Sequence, residues 1–409
     1  MAFAAHRVAS GIMTSYSLVP RRAAVMLVVV AWVALLGACS PGNEPPSASP
    51  SPAPQAAPGG FTLDVTDKID AAATASLTNG VTGTVVSISD PKRGTLLKAY
   101  GTADTTGAQM FPDMHYRIAS VTKTVTADAV LRLVDQGKVA LTDPISKYVA
   151  DVPNGDVMTV RDLLAMRSGA YDFGDDQAFF DRYTDDPTLP WTDEDTLAIL
   201  RAHAAEFTAP NQRTDYCNSN YVLLGHVIER ASGQPAQQYL TALIGELGLA
   251  NTSYPTGNTL PAPFAHGYLS DGKTPPPAGG YRDVTASNPA VPATSGAIVS
   301  TVPDMTRYAV ALGTGAGLSP ATAKERQSWE PLTTSGVRLQ YGLGITQLGD
   351  WVGHDGSLFG YSNMVFYLPS EQAAVVVMGN AADELAVPSQ ALWGEIVKLL
   401  YPNSLPTWP

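Results

Sequence analysis

The chain has 409 residues, of which 45% are hydrophobic and 15% charged, and its formal net charge is −12. This length is enough to bury a large core and allows two or three domains. An acidic protein repels a phosphate backbone and is not attracted to anionic lipid, so we expect no nucleic-acid partner.

The amino terminus has the pattern of an export signal. Arg21 and Arg22 precede an uninterrupted apolar run over 23–38, which is too short to span a membrane comfortably. The run ends in Leu-Gly-Ala-Cys at 36–39, which resembles the bacterial lipobox and predicts lipidation of Cys39. The alternative is an ordinary secretory signal in which this cysteine is incidental.

The composition divides the whole chain into four segments. We predict a lipoprotein signal peptide and lipobox over 1–39, then a tether rich in Pro, Ser and Ala over 40–60. One structural unit follows over 61–401, with a short tail over 402–409. The predicted location is the outer face of the bacterial cytoplasmic membrane or the cell envelope, with membrane contact through the lipid anchor only.

The first part of the structural unit combines a helix with a hairpin. Helical spacing predicts a helix over 64–78. The β-branched run over 81–90 and the segment over 95–100 are predicted strands, joined by a Pro-Lys-Arg-Gly turn. A longer helix is predicted over 120–135, closed by Gly137.

The remaining pattern is a helical middle followed by strands. Residues of about 120–310 are helix-dominated, with long loops rich in Pro and Gly. The predicted strands near the end are 341–348, 351–354, 361–368 and 373–378, and a closing helix covers 385–400. We therefore predict an α/β (α+β) fold, in which strands from both ends form one antiparallel sheet flanked by helices, with a mostly helical inserted subdomain.

Ser120 and Lys123 are the first candidates for chemistry. Residues three apart on a helix face the same way, so the lysine amine and the serine hydroxyl become neighbours. An amine that has lost its proton can take the proton of the serine, which alone is a weak nucleophile. The alternative is that Ser120 is only a helix cap.

Two further motifs follow in order. They are Tyr216-Cys217-Asn218 and, on a predicted strand, His354-Asp355-Gly356. Together with Ser-x-x-Lys they resemble the penicillin-recognising serine enzymes, in particular the branch of class C β-lactamases, D-alanyl-D-alanine carboxypeptidases and their esterase and D-aminopeptidase relatives. The resemblance extends over about 65–400 and includes matching segments at 117–123, 133–141, 160–169, 265–269, 295–301 and 341–345.

The resemblance implies roles for three residues in acyl transfer. Ser120 is the nucleophile and Lys123 its activating partner. Tyr216 passes a proton between the nucleophile and the leaving group. Whether Lys123 or Tyr216 is the formal base is left open by the sequence.

The resemblance also implies a set of binding residues. Asn218 hydrogen-bonds the acyl-side amide of the substrate. The backbone N–H groups of Ser120 and Ser357 form the oxyanion hole. His354 takes the cationic position of the third motif, which Gly356 completes.

Asp355 departs from the family pattern. The third motif normally has Thr or Ser at this point, whose hydroxyl helps bind a substrate carboxylate, and a second carboxylate repels that group. We therefore predict weak or absent carboxypeptidase and β-lactamase turnover, and a better fit to an ester or to a substrate with an amino group. The substrate is a small molecule, peptide or ester, and a peptidoglycan-derived compound is one candidate.

Other features of the sequence favour no competing chemistry. The triplet Tyr361-Ser362-Asn363 also fits Tyr-x-Asn but occurs in the wrong order, and we assign it to the sheet surface. The sequence contains no Gly-x-Ser-x-Gly or His-Glu-x-x-His motif, and we predict no metal and no cofactor. Two alternatives to an enzyme remain: a catalytically weak, penicillin-binding-like lipoprotein that binds cell-wall ligands, and a purely structural lipoprotein. Cys217 is predicted to be a small buried packing residue.

Overall fold

A computed structural model describes residues 60–77, 82–270, 281–332, 339–358, 360–380 and 388–406. The predicted signal peptide, Cys39 and nearly all of the tether lie outside the described residues, as does the end of the predicted tail. Among the helices that are described, none is both long enough and apolar enough to cross a membrane.

The elements are numbered in chain order. The helices are α1 (Leu63–Leu77), α2 (Thr122–Asp135), α3 (Val160–Leu164), α4 (Gln177–Asp185), α5 (Asp193–Ala202), α6 (Asn218–Ser232), α7 (Ala236–Glu246), α8 (Ala293–Gly296), α9 (Val302–Thr314), α10 (Pro320–Arg326) and α11 (Pro388–Leu400). The strands are β1 (Gly83–Asp90), β2 (Gly94–Gly101), β3 (His115–Arg117), β4 (Tyr268–Ser270), β5 (Tyr281–Asp283), β6 (Val299–Thr301), β7 (Glu330–Pro331), β8 (Leu339–Tyr341), β9 (Thr346–Leu348), β10 (Trp351–Leu358), β11 (Tyr361–Leu368) and β12 (Ala373–Gly379).

One antiparallel sheet joins the two ends of the described chain. Its strand order is β2-β1-β12-β11-β10-β9-β8-β7. The β1–β2 hairpin is confirmed, with Gly83 opposite Gly101 and Asp90 opposite Gly94. β1 pairs with β12 in turn, so the predicted α/β fold, with one sheet built from both ends of the sequence and flanked by helices, is also confirmed.

Helices cover both faces of this sheet. α1 and α11 pack on one face, where Ile69 and Trp393 contact apolar side chains of β1, β11 and β12. α9 packs on the other face, beside the large core of the helical middle. Because both faces are covered, β11 and β12 are buried along their whole length, and neither strand alternates between buried and exposed residues.

The first long helix begins later than predicted. Residues Ala119–Val121 form a 3-10 turn, and α2 starts only at Thr122. Ala119 has a φ of 51°, in the left-handed region that residues with a β-carbon rarely adopt. This bend leaves the side chain of Ser120 partly exposed at the head of a helix whose next residues are buried.

The predicted strand over 341–348 is wrong as a single strand. It is divided into β8 and β9 by a loop in which Gly344 has a φ of 72°. A β-carbon at Gly344 would stand 2.1 Å from the β-carbon of Ala127 on α2. The break therefore lets the chain approach α2 closely. The Gly344 N–H also donates to the carbonyl of Leu164 at the end of α3.

Candidate active site

Lys123 is a buried amine at the centre of three hydrogen bonds. Its side chain has no exposed surface. Nζ lies 3.0 Å from Ser120 Oγ, 2.8 Å from Asn218 Oδ1 and 3.0 Å from the carbonyl oxygen of Ser295. The amide and carbonyl oxygens only accept, whereas the hydroxyl of Ser120 both donates and accepts. A neutral lysine therefore keeps two N–H bonds to these acceptors and turns its lone pair to Ser120.

The electrostatic surroundings favour that neutral form. Burial lowers the pKa of Lys123 to about 7, although the negative charges of Asp172 and Asp355 act in the opposite direction. Near neutral pH a large fraction of the amine is therefore unprotonated and able to accept the Ser120 proton.

Tyr216 lies beside this amine but remains a phenol. Its ring centroid is 4.9 Å from Lys123 Nζ. Burial raises the pKa of Tyr216 well above its ordinary value, and the neighbouring Ser120 offsets only part of the rise. Its phenol oxygen is buried and, within the described part of the chain, makes no hydrogen bond of standard geometry. At neutral pH it is thus a proton donor, and Lys123 is the better suited of the two to act as base.

Asn218 begins α6 with both ends of its side-chain amide engaged. Oδ1 accepts from Lys123, while Nδ2 donates to Asp172 Oδ2 at 3.1 Å. The backbone N–H of Asn218 also donates to Asp172 Oδ2, at 3.0 Å. Asp172 was missed by the sequence reasoning, although it follows the recognised segment 160–169 by three residues.

His354 lies at the site in a neutral form. Burial lowers the pKa of His354, and its side chain is 1% exposed. Nδ1 is 2.6 Å from the carbonyl oxygen of Asp355, which only accepts, so this nitrogen carries the proton. Nε2 lies 3.3 Å from the Tyr341 hydroxyl, which is also 3.5 Å from the Tyr221 hydroxyl. The lowered pKa disfavours the cationic form expected at this position, although Asp355 Oδ1, 3.5 Å from Nδ1, acts in the opposite direction.

The third motif is pressed against the turn that contains the serine. β10 contacts the 3-10 turn, and a β-carbon at Gly356 would stand 2.3 Å from the carbonyl oxygen of Ile118. Ser357 is the next residue of β10, and the Asp355 side chain is close enough to influence the charges of Lys123 and Tyr216.

The second Tyr-x-Asn triplet is not at the sheet surface as predicted. Tyr361, Ser362 and Asn363 have no exposed surface. Asn363 Nδ2 donates to the carbonyl oxygens of Arg117 at 3.1 Å and Gly356 at 3.3 Å. The triplet therefore ties the third motif to the strand that precedes the serine turn. The prediction failed because both faces of β11 are covered.

Cys217 is buried, and its surroundings are those of a packing residue. Cys217 is a free thiol with 5% exposure, and its Sγ lies 3.4 Å from the carbonyl oxygen of Ala170. This confirms the predicted packing role. Among the described residues, no group of three or more His, Cys, Asp or Glu side chains is arranged to hold a metal ion.

Comparison with known sequences identifies the family. The profile described as Beta-lactamase matches residues 67–393. The chain belongs to the beta-lactamase family. This beta-lactamase-family chain is 26% identical over 312 residues to the putative penicillin-binding protein PbpX of Bacillus subtilis (strain 168), a match that covers 74% of the chain and 70% of PbpX.

Solved structures give the same fold. The beta-lactamase-family chain matches a D-stereospecific amidohydrolase from Streptomyces sp. with a TM-score of 0.73 and 27% identity, over 82% of the chain and 98% of that protein. It matches the D-amino acid amidase of Ochrobactrum anthropi SV3 with a TM-score of 0.72 and 25% identity, over 83% of the chain and 99% of that protein. The family thus includes serine hydrolases with amidase and penicillin-binding relatives.

Proposed function

We propose that this protein is a serine hydrolase that forms an acyl-enzyme on Ser120, with Lys123 as the base. The observation that carries the proposal is the buried Lys123 amine, 3.0 Å from Ser120 Oγ and with its pKa lowered to about 7. An amine so placed can remove the hydroxyl proton during attack on a carbonyl carbon.

The proposed proton route uses the lowered pKa of Lys123 and the raised pKa of Tyr216. The Ser120 proton moves to Lys123 Nζ as Oγ bonds to the carbonyl carbon, and the carbonyl oxygen gains negative charge. Tyr216 gives its phenol proton to the leaving group as the bond to that group breaks, and it recovers a proton from the Lys123 ammonium. In the second half of the reaction, a water gives a proton to Lys123 as its oxygen bonds to the acyl carbon. The bond from that carbon to Ser120 Oγ then breaks, Oγ regains a proton, and the acid is released. The N–H groups of Ser120 and Ser357 are the proposed donors to the oxyanion.

The substrate we propose is an amide or ester of a D-amino acid with a free amino group and no carboxylate beside Asp355. A carboxylate attracts an ammonium and repels a second carboxylate. Two structural relatives are named as a D-stereospecific amidohydrolase and a D-amino acid amidase, which supports this substrate class. Carboxypeptidase and class C β-lactamase activities are correspondingly expected to be weak.

The test uses intact-mass analysis and product release with the chain from residue 61 onward. The panel is D- and L-phenylalanine amide, a p-nitrophenyl ester, a penicillin and a peptide ending in D-alanyl-D-alanine. We expect turnover of the D-amide and the ester that is lost in Ser120→Ala. Unchanged turnover in that variant would exclude Ser120 as nucleophile, and a preference for the D-alanyl-D-alanine peptide would exclude the proposed substrate class.

A second candidate function is a slow penicillin-binding protein. It is favoured by the engagement of both ends of the Asn218 amide with Lys123 and Asp172, which limits what this side chain offers a substrate. The similarity to a putative penicillin-binding protein agrees with it. A stable penicillin adduct on Ser120, together with no turnover of any panel member, would favour this function over the first.

We also propose that the protein is exported and anchored by a lipid on Cys39. The support is the apolar run ending at the lipobox-like residues 36–39, followed by the Pro-, Ser- and Ala-rich tether. In a bacterial host, labelled fatty acid should enter the full-length protein and not Cys39→Ala. Equal labelling of the two proteins would exclude the anchor.

A further inference from the structure

Asp172 is a buried acid without a cationic partner in direct contact. The residue is 9% exposed, and the hydrogen bonds that it makes among the described residues come from Gly174 and Asn218 rather than from Lys or Arg. Instead it accepts from the backbone N–H of Gly174 at 3.0 Å and from two N–H groups of Asn218. Burial raises the pKa of Asp172, and the hydrogen bonds from Asn218 and Gly174 and the charge of Lys123 oppose that rise and favour the carboxylate. Burying a carboxylate costs free energy that hydrogen bonds only partly offset. Such an arrangement at the edge of the site needs a functional reason.

The geometry points to Asp172 as a positioning residue for the proposed base: its carboxylate holds the Asn218 amide so that the oxygen, and not the NH2 group, faces Lys123. A carboxylate accepts hydrogen bonds and offers no donor, so only Nδ2 of Asn218 can face it. The inference rests on the proposed function, because it assigns a partner to the lysine that activates Ser120.

Two further hydrogen bonds hold the loop that carries Asp172 against α6 and restrict the geometry of the Asp172–Asn218 contact. Ser168 Oγ donates to Asn220 Oδ1 at 2.6 Å, and the Phe173 N–H donates to Ser219 Oγ at 2.9 Å. These bonds lie on either side of the Asp172–Asn218 contact and fix the loop over 168–176 to the first turn of α6. The orientation of the amide is thus set by Asp172, while the position of the loop is set by its neighbours.

The substitution Asp172→Asn would remove the requirement that the NH2 group of Asn218, and not its oxygen, faces residue 172. The asparagine side chain introduced by Asp172→Asn has one acceptor oxygen for donors that now converge on two carboxylate oxygens. It therefore either turns an NH2 group toward Asn218 or leaves a donor unpaired. In the first case Asn218 reverses and presents its NH2 group to Lys123. The base then loses an acceptor and its alignment with Ser120.

Charge gives a second readout of the same contact. The acids near Lys123 are Asp172 and Asp355. The negative charge of each raises the pKa of Lys123, whereas burial lowers it by more. The Cys217 thiol and the neutral His354 ring are also near, and the rings of Tyr216 and Tyr221 lie 4.9 Å and 5.8 Å from Nζ. Replacing Asp172 by a neutral residue therefore lowers the pKa of Lys123 further.

The experiment compares Asp172→Asn with two controls in the same loop junction. Ser219→Ala removes the acceptor of the Phe173 N–H and loosens the junction without touching Asn218. Asp176→Asn removes a negative charge from the loop, where asparagine can still cap α4. The two readouts are the pH profile of Ser120 acylation by a p-nitrophenyl ester, and an NMR titration of the labelled Lys123 side chain, assigned with Lys123→Arg.

We expect Asp172→Asn to slow acylation by roughly 10- to 100-fold, because the base is misaligned, and to move the midpoint of the acid limb to lower pH. Ser219→Ala and Asp176→Asn should leave that midpoint in place. An unchanged midpoint in Asp172→Asn, or the same displacement in Ser219→Ala, would overturn the inference.

The NMR titration separates this inference from the proposed function. If the wild-type protein shows no Ser120-dependent acylation, the proposed function fails, and the titration still decides the role of Asp172. A Lys123 pKa that falls in Asp172→Asn and not in Ser219→Ala supports the inference. A Lys123 pKa equal in all variants contradicts it.

Discussion

Gly356 of β10 lies directly against the backbone of Ile118, two residues before the candidate nucleophile. A β-carbon at Gly356 would stand 2.3 Å from the Ile118 carbonyl oxygen and 3.3 Å from the β-carbon of Ala119. A contact as short as the first does not occur between real atoms, so any other residue at 356 must displace β10 or the serine turn. The spacing between the Ser120 and Ser357 N–H groups depends on this contact.

We therefore predict that Gly356→Ala damages activity more than it damages the fold. A displacement of about 1 Å in a catalytic site can cost on the order of 100-fold in rate, and we expect a loss of that size in kcat/KM for the p-nitrophenyl ester. Overpacking should lower the free energy of unfolding by about 1–3 kcal/mol, measurable by urea denaturation.

Gly245→Ala is the matched control. Gly245 lies within α7, and a β-carbon there meets nothing within 4 Å. The substitution should leave activity unchanged and stabilise the protein by up to about 1 kcal/mol, because glycine disfavours helix. Wild-type kcat/KM in Gly356→Ala would contradict the close-approach argument.

Lys123 should give the activity its acid limb. Because the neutral amine is the proposed base and its pKa is about 7, kcat/KM should rise with pH through that region and then level off. Lys123→Ala should lower kcat/KM by roughly 100- to 10,000-fold. A profile that is flat between acid and alkaline pH, or that falls as pH rises, would argue against lysine as base.

Tyr216 should matter most when the leaving group is basic. The raised pKa keeps its phenol protonated at neutral pH, and its proposed contribution is a proton for the departing group. Tyr216→Phe should reduce D-phenylalanine amide turnover by roughly 100-fold or more and affect a p-nitrophenyl ester much less, because nitrophenolate leaves without a proton. Equal losses on the two substrates would point to a role in nucleophile activation instead.

Local pattern was sufficient to predict most of the sheet and the motif residues of the site. Runs rich in β-branched residues, bounded by turn residues, located the β1–β2 hairpin and β11, and the three motifs named residues that the fold brings together around Lys123. Ser120 and Lys123 are three residues apart, and this short spacing brings them together even though Ser120 lies in the 3-10 turn before α2. No long-range information was required, which explains why this contact could be predicted.

The errors arise where a distant segment decides the outcome. Asp172 has no motif of its own, and its importance depends on the approach of a loop to α6. His354 occupies the cationic position of its motif, but burial beside Tyr216 and Tyr341 lowers the pKa of its ring, and sequence alone does not show that burial. The division of the 341–348 segment follows from the close approach of Gly344 to α2.

Stability should depend on pH through His226 on α6. Burial favours the neutral ring, but the contact of Nδ1 with Glu229 at 3.3 Å and the charges of Asp193 and Glu194 outweigh it and raise the pKa of His226. A raised pKa stabilises the folded state below the unfolded value of about 6.5, and this stability is lost as pH rises through the folded pKa.

His226→Gln isolates this contribution. The free energy of unfolding of the variant should fall below that of the wild type by on the order of 1 kcal/mol at pH 6, and the gap should narrow at pH 8.5. The unfolding measurements should be made above the pH range in which Glu229 becomes protonated, because its contact with His226 requires the carboxylate. The hydrogen bond to His226 lowers the pKa of Glu229. A gap that widens with pH would show that the ring is not charged in the folded protein.

Asp355 should be the main barrier to substrates that carry a carboxylate. Asp355→Thr removes the negative charge and restores a hydroxyl donor, so acylation of Ser120 by penicillin should accelerate by about tenfold or more, the equivalent of roughly 1.4 kcal/mol. Turnover of D-phenylalanine amide should fall, because the ammonium loses its counter-charge. Asp355→Asn separates the two effects, since it removes the charge without adding a hydroxyl. Penicillin acylation that is unchanged in both variants would mean that Asp355 does not meet the substrate, and the amino-substrate proposal would then lose its physical basis.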